Sequence, residues 1–250
     1  NSSAEEFLDK NDKAFDFIYV DPSRRSESGK KLFRFEDCSP DVLQLHDELL
    51  SQSKSVMVKA SPMIDLTLAI KQLKKVERVF VLADSRECRE VLFLMVNKSK
   101  GGVMIESHQL DSGKSFTYDP QKDRQEAVKN TSEQKYFYVP APALIKGGGI
   151  KSLAKKFNLN GINPNTQILT PENLQKDFPG KIYKVEHTLP LSKSNIDKSF
   201  AYTIILKNSA LEKSSLIKKL KIKEGNDRVL FSYRDKANKV KMSICLNPLN

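Results

Sequence analysis

The sequence predicts an α/β protein: a mostly parallel sheet over residues 1 to about 110, then two small α+β modules. Three observations lead there. Short runs that are apolar on both faces, at 15–20, 55–60 and 79–83, alternate with segments of helical spacing. Beyond residue 110 the chain turns polar and then gives short strands around isolated helices. The excess of basic over acidic charge is confined to that later part.

Each element has a local reason. The run FDFIYV (15–20) is stopped by Asp21-Pro22, and a polar stretch follows from 23 to 38. Pro40 after Ser39 reads as the first turn of a helix carrying Val42, Leu43, Leu45, Leu49 and Leu50. SVMVKA (55–60) is a second strand, closed by Pro62. Residues 65–73 place apolar side chains at 66, 69, 70 and 73, the spacing of a helix face. VFVLA (79–83) is a third strand, 87–96 is expected to be a helix, and 102–110 a returning strand. Parallel strands joined by helices imply right-handed crossovers. A boundary is expected in the polar segment 111–134, giving modules at 111–190 and 191–250. The first holds strands near 136–139 and 181–187 and a helix at 150–157; the second reads strand, helix, strand, strand over 199–246.

Composition narrows the function. No apolar run approaches the roughly 18 residues of a membrane span, and no charged-then-apolar leader opens the chain. The reading is therefore a soluble cytoplasmic chain with no membrane partner. Cys38, Cys88 and Cys245 are too few and too scattered for a disulfide framework or zinc site, and three histidines leave little for metal hydrolysis, so no metal is expected. Net charge is +11, yet residues 1–100 hold 17 basic and 17 acidic residues, whereas 101–250 hold 25 and 14. A neutral part followed by a basic part points to a polyanion partner for the second; the alternative is a generally lysine-rich surface, Lys outnumbering Arg 33 to 9.

The clearest constellation is Asp21-Pro22-Ser23-Arg24-Arg25 at the carboxyl end of a strand, where open α/β sheets place their ligands. Proline stiffens the loop, the Asp carboxylate accepts hydrogen bonds, and consecutive guanidinium groups suit phosphate or carboxylate. The plain alternative is a strand exit with solvated arginines. Lys59 ends the neighbouring apolar strand and would face the Asp21 loop; snorkelling to solvent explains it equally well. Asp37, next to Cys38, either positions substrate or is structural. Gly147-Gly148-Gly149 offers amides to phosphate or simply a flexible helix entry. Lys218, Lys219, Lys221 and Lys223 either line nucleic-acid phosphates or form a solvated helix face. Tyr136, Phe137, Tyr138, Phe200, Tyr202 and Tyr233 either stack on bases or fill the core.

Several of these stretches together resemble a known family. FDFIYVDPSRR (15–25), FEDCSPD (35–41), VKASPMIDLTLAIKQL (58–73) and ECREVLF (87–93) are similar to bacterial class I S-adenosylmethionine-dependent methyltransferases. YVPAPALIKGGGIKSLAKKF (138–157), NPNTQILT (163–170), DFPGKIYKV (177–185) and LKIKEGNDRVLF (220–231) resemble the ferredoxin-like and THUMP-like domains that follow in that group. The resemblance implies a partial Rossmann-like methyltransferase sheet and methyl transfer to RNA. Asp21, Pro22 and Ser23 would hold the target, Arg24, Arg25, Asp37 and Lys59 would contact substrate, and the basic later half would bind RNA. It also implies a departure: the family's glycine-rich cofactor loop and acidic ribose-binding residue belong to earlier strands that nothing here matches. The chain is thus expected to be a C-terminal portion that does not bind S-adenosylmethionine alone. Residues 15–20 would then form a sheet edge, covered by residues 3–12 or by a second copy in a homodimer. The rival reading is a non-catalytic RNA-binding or assembly protein on a methyltransferase-like scaffold; a third is a protein methyltransferase.

Overall fold

A computed structural model describes residues 2–24, 34–98, 101–191, 196–209 and 211–249. In chain order the elements are α1 (Ala4–Lys10), β1 (Phe15–Val20), β2 (Ser23–Arg24), β3 (Cys38–Ser39), α2 (His46–Ser51), β4 (Ser53–Ala60), α3 (Leu66–Leu73), β5 (Val76–Ala83), β6 (Cys88–Val96), β7 (Met104–Gln109), β8 (Lys114–Tyr118) and α4 (Pro120–Gln125). There follow β9 (Tyr136–Pro140), α5 (Pro142–Gly147), α6 (Ile150–Lys156), β10 (Asn160–Gly161), β11 (Leu169–Thr170), β12 (Gly180–Pro190), β13 (Ala201–Lys207), α7 (Lys213–Leu220), β14 (Lys223–Glu224), β15 (Arg228–Arg234) and β16 (Val240–Cys245). They form two compact units, one of residues 1–123 with 142–149, the other of 124–141 with 150–250.

The first unit is built on a six-stranded sheet in the order β1-β4-β6-β5-β7-β8. Pairs β1–β4 and β5–β7 are parallel, whereas β6 runs antiparallel to both β4 and β5, and β8 antiparallel to β7. The α/β class is as expected; the sheet is mixed because residues 87–96, expected to be helical, form β6. The reason lies in the burial: Val91, Phe93 and Met95 are fully buried while Leu92, Leu94 and Val96 between them are half-buried, a period of two that only a strand between strands satisfies. A second correction concerns residues 40–50. The helix starts only at His46, because Ser39 pairs with Ser23 in a short ribbon and Asp41 caps a turn, its Oδ1 accepting from the amides of Leu43 (3.0 Å) and Gln44 (3.2 Å). The segment 65–73 behaves as expected, with Asp65 capping α3 by accepting from the Leu68 amide at 2.9 Å. Within the polar stretch after 110, residues 114–118 add β8, where Phe116 and Tyr118 are buried.

The core of this unit lies on one sheet face. Val56, Val58, Val79, Val81, Val91 and Phe93 are fully buried there. Buried residues of α2 (Leu49, Leu50) and α3 (Leu66, Ala69, Leu73) cover it, tied together by the His46 ring, whose Nε2 lies 2.8 Å from the Leu73 carbonyl oxygen. Helix α5 joins the same face, Ser107 Oγ donating to the Ala143 carbonyl at 3.1 Å.

The second unit is an eight-stranded sheet ordered β10-β11-β9-β12-β16-β15-β13-β14. Strand β12 holds it together: residues 180–184 pair with β9, and residues 185–190 pair with β16, with a bulge between Val185 and His187. One cluster gathers Phe137, Ile162, Ile168, Tyr183, Phe231 and Tyr233; another packs Leu216 and Leu220 of α7 against Tyr202, Leu230 and Met242. Phe137, Tyr138, Tyr202 and Tyr233 are fully buried, so of the aromatic residues weighed for base stacking these four are core. No described helix is long and apolar enough to cross a membrane.

Candidate active site at the carboxyl end of the first strand

The site begins where β1 ends. Val20 is buried opposite Val58 of β4, so the next residues on the two strands, Asp21 and Lys59, emerge side by side at the rim of the sheet. The Lys59 ammonium lies 2.7 Å from Asp21 Oδ2 and 4.0 Å from Glu90 Oε2 on β6. Hydrogen bonding to the Asp21 carboxylate raises the Lys59 pKa, against a smaller opposing cost of burial. The Pro22 loop is fastened by the two-residue ribbon of β2 and β3, with Ser23 Oγ donating to the Ser39 carbonyl at 3.2 Å.

These residues surround a cleft of about 320 Å³ lined by Asp21, Pro22, Ser23, Phe35, Cys38, Lys59, Ala60, Ser61, Pro62, Arg89 and Glu90. Phe35 is 2% exposed and packs edge-on to Phe93 with ring centroids 5.9 Å apart, which gives the cleft an apolar floor. Arg89 is held on the rim: its Nε donates to Asp84 Oδ2 at 2.8 Å and its Nη1 to Glu87 Oε1 at 2.6 Å. Asp84 also accepts from the amides of Glu87 and Arg86, which with Arg89 hold its carboxyl down at about 2. The arrangement thus presents one ammonium shared by two carboxylates above an apolar floor.

Of the residues singled out in the sequence, Asp21, Pro22, Ser23 and Lys59 come together here. Arg24 pairs through its backbone with Cys38, Asp37 ends a 3₁₀ turn and is not among the lining residues, and Arg25 lies outside the described residues. Sequence reasoning does not single out Glu90, Arg89 or Phe35. Glu90 and Arg89 belong to the segment expected to be helical, and only the strand puts their side chains at this rim.

The lysines form a separate group on the second unit. Lys218 and Lys219 lie in the last turn of α7, Lys221 just after it and Lys223 on the edge strand β14; all four are exposed and none makes an ion pair among the described residues. By contrast Lys135, Lys155, Lys213 and Lys241 are each paired to a carboxylate. Phe200 is covered by Arg228, whose guanidinium lies 4.6 Å from the ring centroid.

The glycines at the end of α5 are engaged in packing. Gly147-Gly148-Gly149 closes α5 against Tyr118, whose hydroxyl donates to the Gly147 carbonyl, and a Cβ at Gly149 would meet that ring at 2.5 Å. Gly147 and Gly149 therefore serve packing.

Comparison with known proteins agrees with this architecture. A family described as a ferredoxin-like domain matches residues 136–179, and one described as THUMP domain-like matches 180–246. A crystal structure entitled "putative methyltransferase from Porphyromonas gingivalis W83" is similar over 93% of this chain, with 29% sequence identity and a TM-score of 0.84. The chain spans 59% of the length of that protein. No match is found among curated proteins. The fold is thus a methyltransferase-like α/β unit followed by ferredoxin-like and THUMP-like parts.

Proposed function

We propose that this chain is the C-terminal part of an S-adenosylmethionine-dependent methyltransferase acting on RNA. The carrying observation is the cleft at the carboxyl end of β1, where Asp21 and the Pro22 loop meet Lys59 and Glu90, in a chain similar to a methyltransferase-titled structure. In this reading Asp21, Pro22 and Ser23 hold the group to be methylated, and Lys59, with Arg24, Arg25 and Asp37 of the adjoining ribbon and turn, orients substrate. Transfer of a methyl group asks mainly for positioning, which stiff strand ends supply. Cofactor would be bound by residues outside this chain. The lysines at 218, 219, 221 and 223 would read RNA phosphates, with modules divided near residues 110 and 190.

The experiment is methyl transfer from S-adenosylmethionine to RNA by the full-length protein. Activity that disappears in Asp21→Ala and in no other acidic-to-alanine variant of the rim supports the reading. One observation favours the rival, an RNA-binding scaffold: the Asp21 carboxylate is already engaged by Lys59. RNA binding by a full-length protein that takes up no S-adenosylmethionine would decide for that rival.

A further inference from the structure

Asp21, Lys59 and Glu90 turn to one side of the sheet rim. Asp21 lies two residues past Tyr19, Lys59 two past Met57, and Glu90 two before Leu92. Tyr19 pairs with Met57 and Lys59 with Leu92, so strand alternation gives the three side chains a common face. The Lys59 ammonium stands between the two carboxylates, at 2.7 Å from Asp21 Oδ2 and 4.0 Å from Glu90 Oε2. The Lys59, Asp21 and Glu90 side chains are 32%, 49% and 41% exposed, so neither pair is locked in place by burial. Glu90 has no second cation among the described residues. Its neighbour Arg89 is committed elsewhere, Nε to Asp84 and Nη1 to Glu87.

This arrangement answers a difficulty in the cleft. A carboxylate that already accepts from Lys59 is a poor acceptor for an N–H group of a substrate, and the ammonium must leave before Asp21 can hold one. Releasing Lys59 to solvent would leave its charge unpaired beside the incoming group. Passing it to Glu90 keeps the charge paired throughout, and the flexible four-carbon stem of lysine permits the move. We infer that Glu90 is a positioning residue of the cleft: it takes the Lys59 ammonium when an N–H donor of the substrate takes the Asp21 carboxylate. The role given to Asp21 rests on the proposed methyl transfer, whereas the exchange of Lys59 between two carboxylates does not.

Two measurements test this. The first is a crystal structure of the 250-residue chain carrying Asp21→Ala, which removes the nearer carboxylate. Lys59 Nζ is expected to move to hydrogen-bond distance of a Glu90 carboxylate oxygen, about 3.2 Å or less. An ammonium that stays 4 Å away, as in the unaltered chain, or turns to solvent overturns the inference. Asp21→Ser repeats the measurement if the alanine variant fails to fold. The second is methyl transfer by the full-length protein. Glu90→Gln is expected to lower kcat/KM roughly tenfold without abolishing it, because Lys59 then stays on Asp21. Added to Lys59→Met, which leaves no ammonium to move, the same substitution should change the rate by less than about twofold. An equal loss in both backgrounds overturns the inference, since Glu90 would then act without Lys59. A full-length protein that methylates nothing counts against the proposed function instead, and the Asp21→Ala structure then decides the exchange by itself.

Discussion

Lys59, near the end of β4, and Asp21, just past β1, each stand one residue beyond the buried pair Val58 and Val20, and they meet at 2.7 Å. Their contact follows from register: where Val20 and Val58 pair in parallel, the residues that follow them stand side by side. It places a carboxylate and an ammonium at the carboxyl end of a strand, where open α/β sheets commonly bind ligands. Both are partly exposed, so the pair contributes little to folding.

From this a separation of function and stability follows. Asp21→Asn is expected to move the unfolding free energy by less than about 1 kcal/mol, while lowering methyl transfer by the full-length protein by roughly a hundredfold or more, the scale of losing one positioned polar group. Chemical denaturation and initial rates measure the two quantities. A variant that keeps its full rate would remove Asp21 from the site.

Asp84 gives a pH dependence with a definite sign. Its carboxyl lies at about 2 in the folded protein against 3.8 for the ordinary group. The depressed value means that its contribution is complete above the unfolded value and is lost as pH falls between roughly 4 and 2. Wild type and Asp84→Asn should therefore differ in urea midpoint at pH 6 and converge towards pH 2. A constant difference across that range would contradict the assignment.

The second unit should be most sensitive at Phe137. This fully buried ring stands edge-on to both Phe231 and Tyr233, centroids 5.5 Å away in each case. Phe137→Ala is expected to cost about 3–5 kcal/mol, the range for emptying a buried aromatic site. Equilibrium unfolding followed by tyrosine fluorescence would read it, and a cost below about 1 kcal/mol would mean that the cluster collapses to fill the space.

For the lysines the diagnostic is salt. Replacing Lys218, Lys219, Lys221 and Lys223 by Gln should weaken binding to structured RNA and flatten the log–log salt dependence by about 0.7 to 0.9 for each phosphate no longer neutralised. Since all four are exposed, the melting temperature should barely change. An unchanged slope would assign them to solvent.

The amino-acid sequence by itself determined the α/β class, the strands around 15–20, 55–60 and 79–83, the helix over 65–73, and the loop that carries Asp21 and Pro22. These depend on apolar runs, capping oxygens and proline, all of which act within a few residues. Tertiary structure alone decided the rest. Residues 88–96 are apolar enough for either a helix or a strand, and they became β6 because β4 and β5 left two rows of backbone groups to be paired. That choice turned Glu90 and Arg89 towards the cleft, where no local pattern announces them. Lys59 was legible as an oddity at a strand end, but its partners were not, because register between strands is fixed by burial across the whole sheet. The lysine-rich tail showed its charge in the sequence; which lysines are ion-paired among the described residues was settled by the carboxylates that folding brought to them.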